Sequence, residues 1–89
     1  MNIPFRQYHL FKILEEFEGK HFALDLFLRY YFREHKAIGS KDRAFIADTC
    51  YQLIRWRGLL DAIAQKPLSW QTRFEALPLL NNSHPNLPH

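Results

Sequence analysis

The sequence predicts an all-α fold, a compact helical bundle of about four helices around one long central helix. Three observations predict it. Apolar residues recur at three- and four-residue spacing, and no segment alternates apolar and polar in the period of a strand. Pro4, Gly19, Gly39, Pro67 and Pro78 cut the chain into helix-length pieces. A hydrophobic content of 47%, with 16% aromatics, is rich enough to fill a core in 89 residues without staples. The central element is the run from Gly39 to Ala64, and the other helices are expected to grip it.

The first helix is expected from about Phe5 to Glu18, with Pro4 at its entrance. Phe5, Tyr8, Phe11, Leu14 and Phe17, joined by Leu10 and Ile13, supply its apolar face. Glu15, Glu16 and Glu18 lie near its C-terminal end, the wrong sign for the helix dipole. Gly19 ends it, and Lys20 to Phe22 connect. A second helix is expected from about Phe22 to His35, with Leu24, Phe27, Leu28, Tyr31 and Phe32 in the core. Asp25 lies one turn before Arg29, where the two can pair.

Gly39 and Ser40 break the second helix from the third. Ser40 is placed to cap the new helix, and Asp42 to meet its positive end. On a straight helix Phe45, Ile46, Thr49, Cys50, Leu53, Ile54, Leu60, Ile63 and Ala64 share one broad face. Gly58 costs about 1 kcal/mol against Ala mid-helix and marks a bend or a close helix approach. Two arrangements satisfy Arg57: a pair with Asp61 four residues on, or a bend at Gly58 that turns it outward. Gln65, Lys66 and Pro67 end this helix. Ser69 then caps a short fourth helix, about Trp70 to Leu77, with Trp70, Phe74 and Leu77 on one side and Pro78 as its stop. The remaining tail, Asn81 to His89, reads as a linker, so residues 1–80 form the domain.

Several function classes are excluded on these residues. One Cys gives no internal disulfide and no metal cluster, and Cys50 falls on the apolar face as a small hydrophobe. His9, His21 and His35 are isolated and are expected as surface or helix-end residues, and His84 and His89 lie in the tail, so no metal spacing exists. No apolar run reaches membrane-spanning length, and no secretory leader is present, which makes a cytoplasmic protein the expectation. Three scattered glycines build no phosphate loop. No nucleophile and base are placed by a motif, so no catalytic residue and no cofactor site are expected.

The charge is uneven. Between Arg29 and Arg57 stand seven basic residues against three acids, a net +4, while the rest of the chain is −1. Arg29, Arg33 and Lys36 share one helix face. Lys41 and Arg43 follow at the start of the central helix. One reading is a solvated face with local ion pairs. The other is a phosphate-binding surface in which Lys36, Lys41 and Arg43 are near-equivalent contacts, helped by the helix-start amides at Ser40. Tyr51 and Trp56 are candidates to stack on an unpaired base, or else to pack on neighbouring helices. Arg55 lies on the polar face near Tyr51 and Asp48.

The run SKDRAFIADTCYQLIRWRGLLDAIA resembles the central helix of the NusB-like module at the N-terminus of RsmB/Sun-type RNA methyltransferases. Asp42 and Arg43 match that family's Asp-Arg pair. Tyr51, Ile54 and Arg55 match its Tyr-Gly-x-(Leu/Ile)-Arg group, with Gln52 in place of the Gly, and Leu60 and Asp61 match its Leu-Asp. The resemblance spans about residues 5–77 and is specific over 40–61. It implies a NusB-like RNA-binding accessory domain, with Arg29, Arg33, Lys36, Lys41, Arg43, Tyr51 and Arg55 as the RNA-facing candidates. It further implies a C-terminal catalytic domain, beyond these residues, that binds S-adenosylmethionine and methylates carbon 5 of cytosine in small-subunit rRNA. Two other functions fit the same residues: a free-standing antitermination-like factor that binds RNA with a ribosomal protein, and a purely structural protein-docking module.

Overall fold

The structure, a computed structural model, describes residues 3–20 and 23–83, with side chains described through residue 80. It is all-α. Among the described residues there are five helices: α1 (Phe5–Phe17), α2 (Leu24–Glu34), α3 (Ser40–Arg55), α4 (Arg57–Ile63) and α5 (Trp70–Ser83). The expectations for His21, Phe22, His84, His89 and the end of the tail fall outside the described residues. The chain divides into two units, Met1–Cys50 and Tyr51–His89.

The first unit is built on an α1–α2 hairpin. Glu18 caps α1, and Gly19 takes the left-handed φ of +82° that lets the chain leave the helix. Phe17 packs on Phe27 with ring centroids 5.6 Å apart. At the other end His9 meets Tyr31 and His35, so the two helices run antiparallel. Leu10, Phe11, Ile13 and Leu14 are buried, with Leu24, Phe27, Leu28 and Tyr31 opposite them.

Phe5 and Tyr8, expected in the core, are about half exposed. The reason is angular. Steps of three residues advance about 300° on a helix, so a run at 5, 8 and 11 drifts about 120° around the axis. His9 takes the buried place instead, and the rings of Phe5 and Tyr8 lie edge-on to it at 4.8 and 5.2 Å.

The α2–α3 joint is tightly tied. His35 N donates to Tyr31 O, and Ile38 N to His35 O. Ile38 is buried, and the Nε of Arg43 donates to its carbonyl at 2.7 Å. The first bond of α3 runs from Arg43 N to Gly39 O, so Gly39 stands at the cap position, one residue before the expected Ser40. Asp42, in the first turn, accepts from both Nε and a terminal nitrogen of Arg6, at 2.9 and 2.7 Å. The Arg6 guanidinium also covers the Phe45 ring.

The expected single helix from Gly39 to Ala64 is interrupted. Trp56, at φ −101° and ψ 14°, separates α3 from α4. The break falls two residues before Gly58, where the sequence suggests it, and open space rather than a close neighbour surrounds Gly58. Gly58, in the turn that follows, is a weak helix former. The buried positions nevertheless stay on one face across the break, a face narrower than the expected stripe. Ile46, Thr49, Cys50 and Leu53 are buried along α3, and Leu60 and Ala64 beyond it, but Ile54 and Ile63 are exposed.

In the second unit α4 packs on α5. Ser69 caps α5 as the sequence predicts: Thr72 N donates to Ser69 Oγ at 3.1 Å, and Ser69 N donates to Thr72 Oγ1 at 2.9 Å. This reciprocal pair is a capping box with Thr as the returning residue. Pro78 does not stop the helix. It lies inside α5, which runs on to Ser83, so Asn81 belongs to a helix rather than to a linker. Pro78 is exposed, and its ring needs no room in the core.

Candidate nucleic-acid interface

The predicted cations separate into three groups. Arg29 and Arg33 stand one turn apart on α2, and both are exposed. Lys36 and Lys41 are exposed on either side of the α2–α3 joint. Among the described residues, none of these four has a carboxylate partner. Arg43 is different. It is half-buried, its Nε is committed to Ile38 O, and its guanidinium lies 5.6 Å from the centre of the Phe32 ring. It braces the joint on which the two lysines stand, and is not their geometric equivalent.

Tyr51 and Arg55 belong to the second unit, and both are exposed. The Arg55 guanidinium sits over the half-buried Trp56 ring at 5.2 Å. Arg57 is exposed, as the bend reading expects, and covers Trp70 at 5.0 Å. The Asp61 carboxylate holds Arg73.

Beside Arg29 and Arg33 lies a feature that sequence reasoning missed. A half-open groove of about 540 Å³ is lined by Lys20, Leu26, Phe27, Arg29, Tyr30 and Arg33. Tyr30 is 63% exposed and Leu26 53%. Phe27 is buried and forms the base of the groove, backed by Phe17 and Tyr31. The turn at Gly19 brings Lys20 to its edge. The signal was present in the sequence: Leu26 and Tyr30 are one turn apart, off the core face, and interleaved with Arg29 and Arg33.

A second cluster was not visible in sequence. Buried His9 shares a 2.7 Å hydrogen bond between its Nδ1 and Tyr31 Oη. The His35 ring stacks on Tyr31 at 4.1 Å and stands 5.3 Å from His9. Burial, then the nearby His35 and Lys12, hold the His9 pKa below its ordinary 6.5. Burial, with Glu16 and Tyr8 adding to it, pushes the Tyr31 phenol up to about 12.

The unfolded chain therefore binds a proton at His9 more readily than the folded one. The stability due to neutral His9 is complete above pH 6.5 and is lost as pH falls below it. Melting temperature is expected to drop between about pH 7 and 5, and to drop less for His9→Phe. Parallel profiles for the two proteins would exclude His9 as the titrating group.

Burial raises the Cys50 thiol to about 12, so it stays protonated and unreactive, in line with a packing role. Among the described residues, no three His, Cys, Asp or Glu side chains converge as metal ligands. Among the described residues no strand precedes a helix. No described helix is long and apolar enough to cross a membrane. The chain matches no family model, no curated protein and no solved structure.

Proposed function

We propose that this chain is an RNA-binding helical module, acting as the NusB-like accessory domain of a cytoplasmic rRNA cytosine-C5 methyltransferase. In this reading it positions small-subunit rRNA for a separate catalytic domain, which would hold S-adenosylmethionine. The observation that carries RNA binding is the row of exposed cations, Arg29, Arg33, Lys36 and Lys41, with no carboxylate partner among the described residues. A solvated face built from local ion pairs would neutralise such charges. An unneutralised row instead favours a polyanion, whose counterions are released on binding. The methyltransferase context rests on the resemblance over residues 40–61.

Fluorescence anisotropy with a structured rRNA fragment over a salt series tests the proposal. Lys41→Ala and Arg29→Ala should each weaken binding evenly across sequences and reduce the salt slope by about one unit. Arg43→Ala should mainly lower the melting temperature, because it removes the brace at Ile38. Arg55→Ala reports whether the second unit also meets RNA. Salt-independent or undetectable binding would remove the proposal.

A protein-docking module is the second reading. It is favoured by the exposed Ile54, Leu59 and Ile63 of the second unit, the last two one turn apart on α4.

A further inference from the structure

We infer that the groove beside α2 is a base-binding subsite for single-stranded RNA, with one unpaired base lying against Tyr30 and Leu26 and its flanking phosphates meeting Arg29, Arg33 and Lys20. The inference rests on the RNA-binding reading and says where, and in what form, the RNA is held.

The groove combines two properties. Its interior is apolar and aromatic, and among the described residues lining it there are three cations and no acid. Tyr30 and Leu26, both more than half open to water, stand one turn apart and make one open apolar patch beside the cations. A base supplies a flat face for Tyr30 and covers Leu26, and stacking of this kind tolerates any base. Phe27, buried and in ring contact with Phe17 and Tyr31, belongs to the packed core as well as to the groove lining.

The charges are spaced for the same ligand. Arg29 and Arg33 are about 6 Å apart along the helix axis, close to the separation of successive phosphates on a nucleic acid strand. Lys20 approaches from the connector, on a different element from the two arginines. Cations from two elements can therefore flank a bound nucleotide. In a duplex the bases are stacked on one another and have no free face for Tyr30. Loops, bulges and ends are the forms that can enter.

The test uses the full 89-residue chain and two fluorescent probes of equal length and charge: a mixed-sequence single-stranded RNA decamer and its abasic counterpart. Wild type is expected to bind the decamer roughly 5- to 150-fold more tightly than the abasic strand, the range that one base–aromatic stack provides. Tyr30→Ala, at an exposed position, should keep the melting temperature and bind both probes alike. Arg33→Ala should weaken both probes about equally. If Tyr30→Ala retains the preference for the decamer while Arg33→Ala weakens binding, the subsite is wrong and the RNA reading stands. If wild type binds neither probe at low salt, both are wrong. If polyglutamate of matched charge displaces the decamer from wild type and itself depends on Tyr30, the groove belongs to an acidic peptide and the subsite is overturned.

Discussion

Leu53→Ala is expected to destabilise the protein by about 2–5 kcal/mol. Leu53 is fully buried, on the side of α3 that also buries Ile46, Thr49 and Cys50. Truncation removes three carbons from water-excluded packing and leaves a cavity whose lining relaxes only in part. How far the site collapses sets where in that range the loss falls. Its neighbour supplies the control. Ile54, also expected in the core from sequence, is 37% exposed, so Ile54→Ala should cost about 1 kcal/mol or less. Denaturant unfolding distinguishes the two: Leu53→Ala should lower the midpoint strongly at unchanged slope, and Ile54→Ala only slightly. Equal shifts would mean that α3 does not present the face described above.

The contrast between these adjacent residues shows what the sequence could carry. The helical class was legible, because the apolar spacing is strong and Gly19, Ser69 and Pro67 act locally, but the division of the central run into α3 and α4 was not. Leu24, Phe27, Leu28 and Tyr31 were read as the core of α2 and are buried. The width of the buried face was not legible. A wide stripe on a straight helix from Gly39 to Ala64 includes Ile54 and Ile63, which lie on either flank of the narrower face that buries Ile46, Cys50, Leu53, Leu60 and Ala64. Pro78 misled because a proline inside a helix removes one hydrogen bond and crowds the preceding turn, a cost that α5 tolerates as it runs on to Ser83.

The candidate site was legible as charge and not as shape. Within the excess between Arg29 and Arg57, Arg29, Arg33, Lys36, Lys41, Arg55 and Arg57 are exposed and Arg43 is half-buried, a difference that charge alone does not show. Arg43 spends its guanidinium on Ile38 and Phe32, and Asp42 on Arg6. Both form the Asp-Arg pair on which the family resemblance begins. Asp61, at the other end of the resemblance, likewise holds Arg73. The most distinctive motif residues are therefore engaged in holding helices together, whereas Tyr51 and Arg55 between them remain at the surface. A motif of this kind reports the fold before it reports a binding surface. Tyr30 and Leu26 went unnoticed because apolar residues between charges look ordinary until their exposure is known.

Asp61→Ala is expected to cost about 2–3 kcal/mol. Arg73 is 7% exposed, and its Nε donates to Asp61 Oδ1 at 2.6 Å. Its guanidinium also lies 4.6 Å from the centre of the buried Trp70 ring, whose other neighbour is the Arg57 guanidinium at 5.0 Å. Removing the carboxylate leaves a buried cation against a ring already shared with a second cation. Breaking a fully buried pair costs about 3–5 kcal/mol, and the expected value is lower because the Asp61 side chain remains about one-third exposed. The Lys66 Nζ contact to the Asp61 main-chain oxygen survives the substitution and does not repair it. Replacing both partners should behave differently. Asp61→Leu with Arg73→Met removes the charge together with its counter-charge and keeps apolar volume between α4 and α5, so most of the loss should be recovered. A double-mutant cycle built on Asp61→Leu and Arg73→Met, read by denaturant unfolding, should therefore be strongly non-additive. Additive losses would mean that the ion pair does not couple α4 to α5, and that the apolar contacts of Leu60, Trp70 and Leu77 hold the second unit without it.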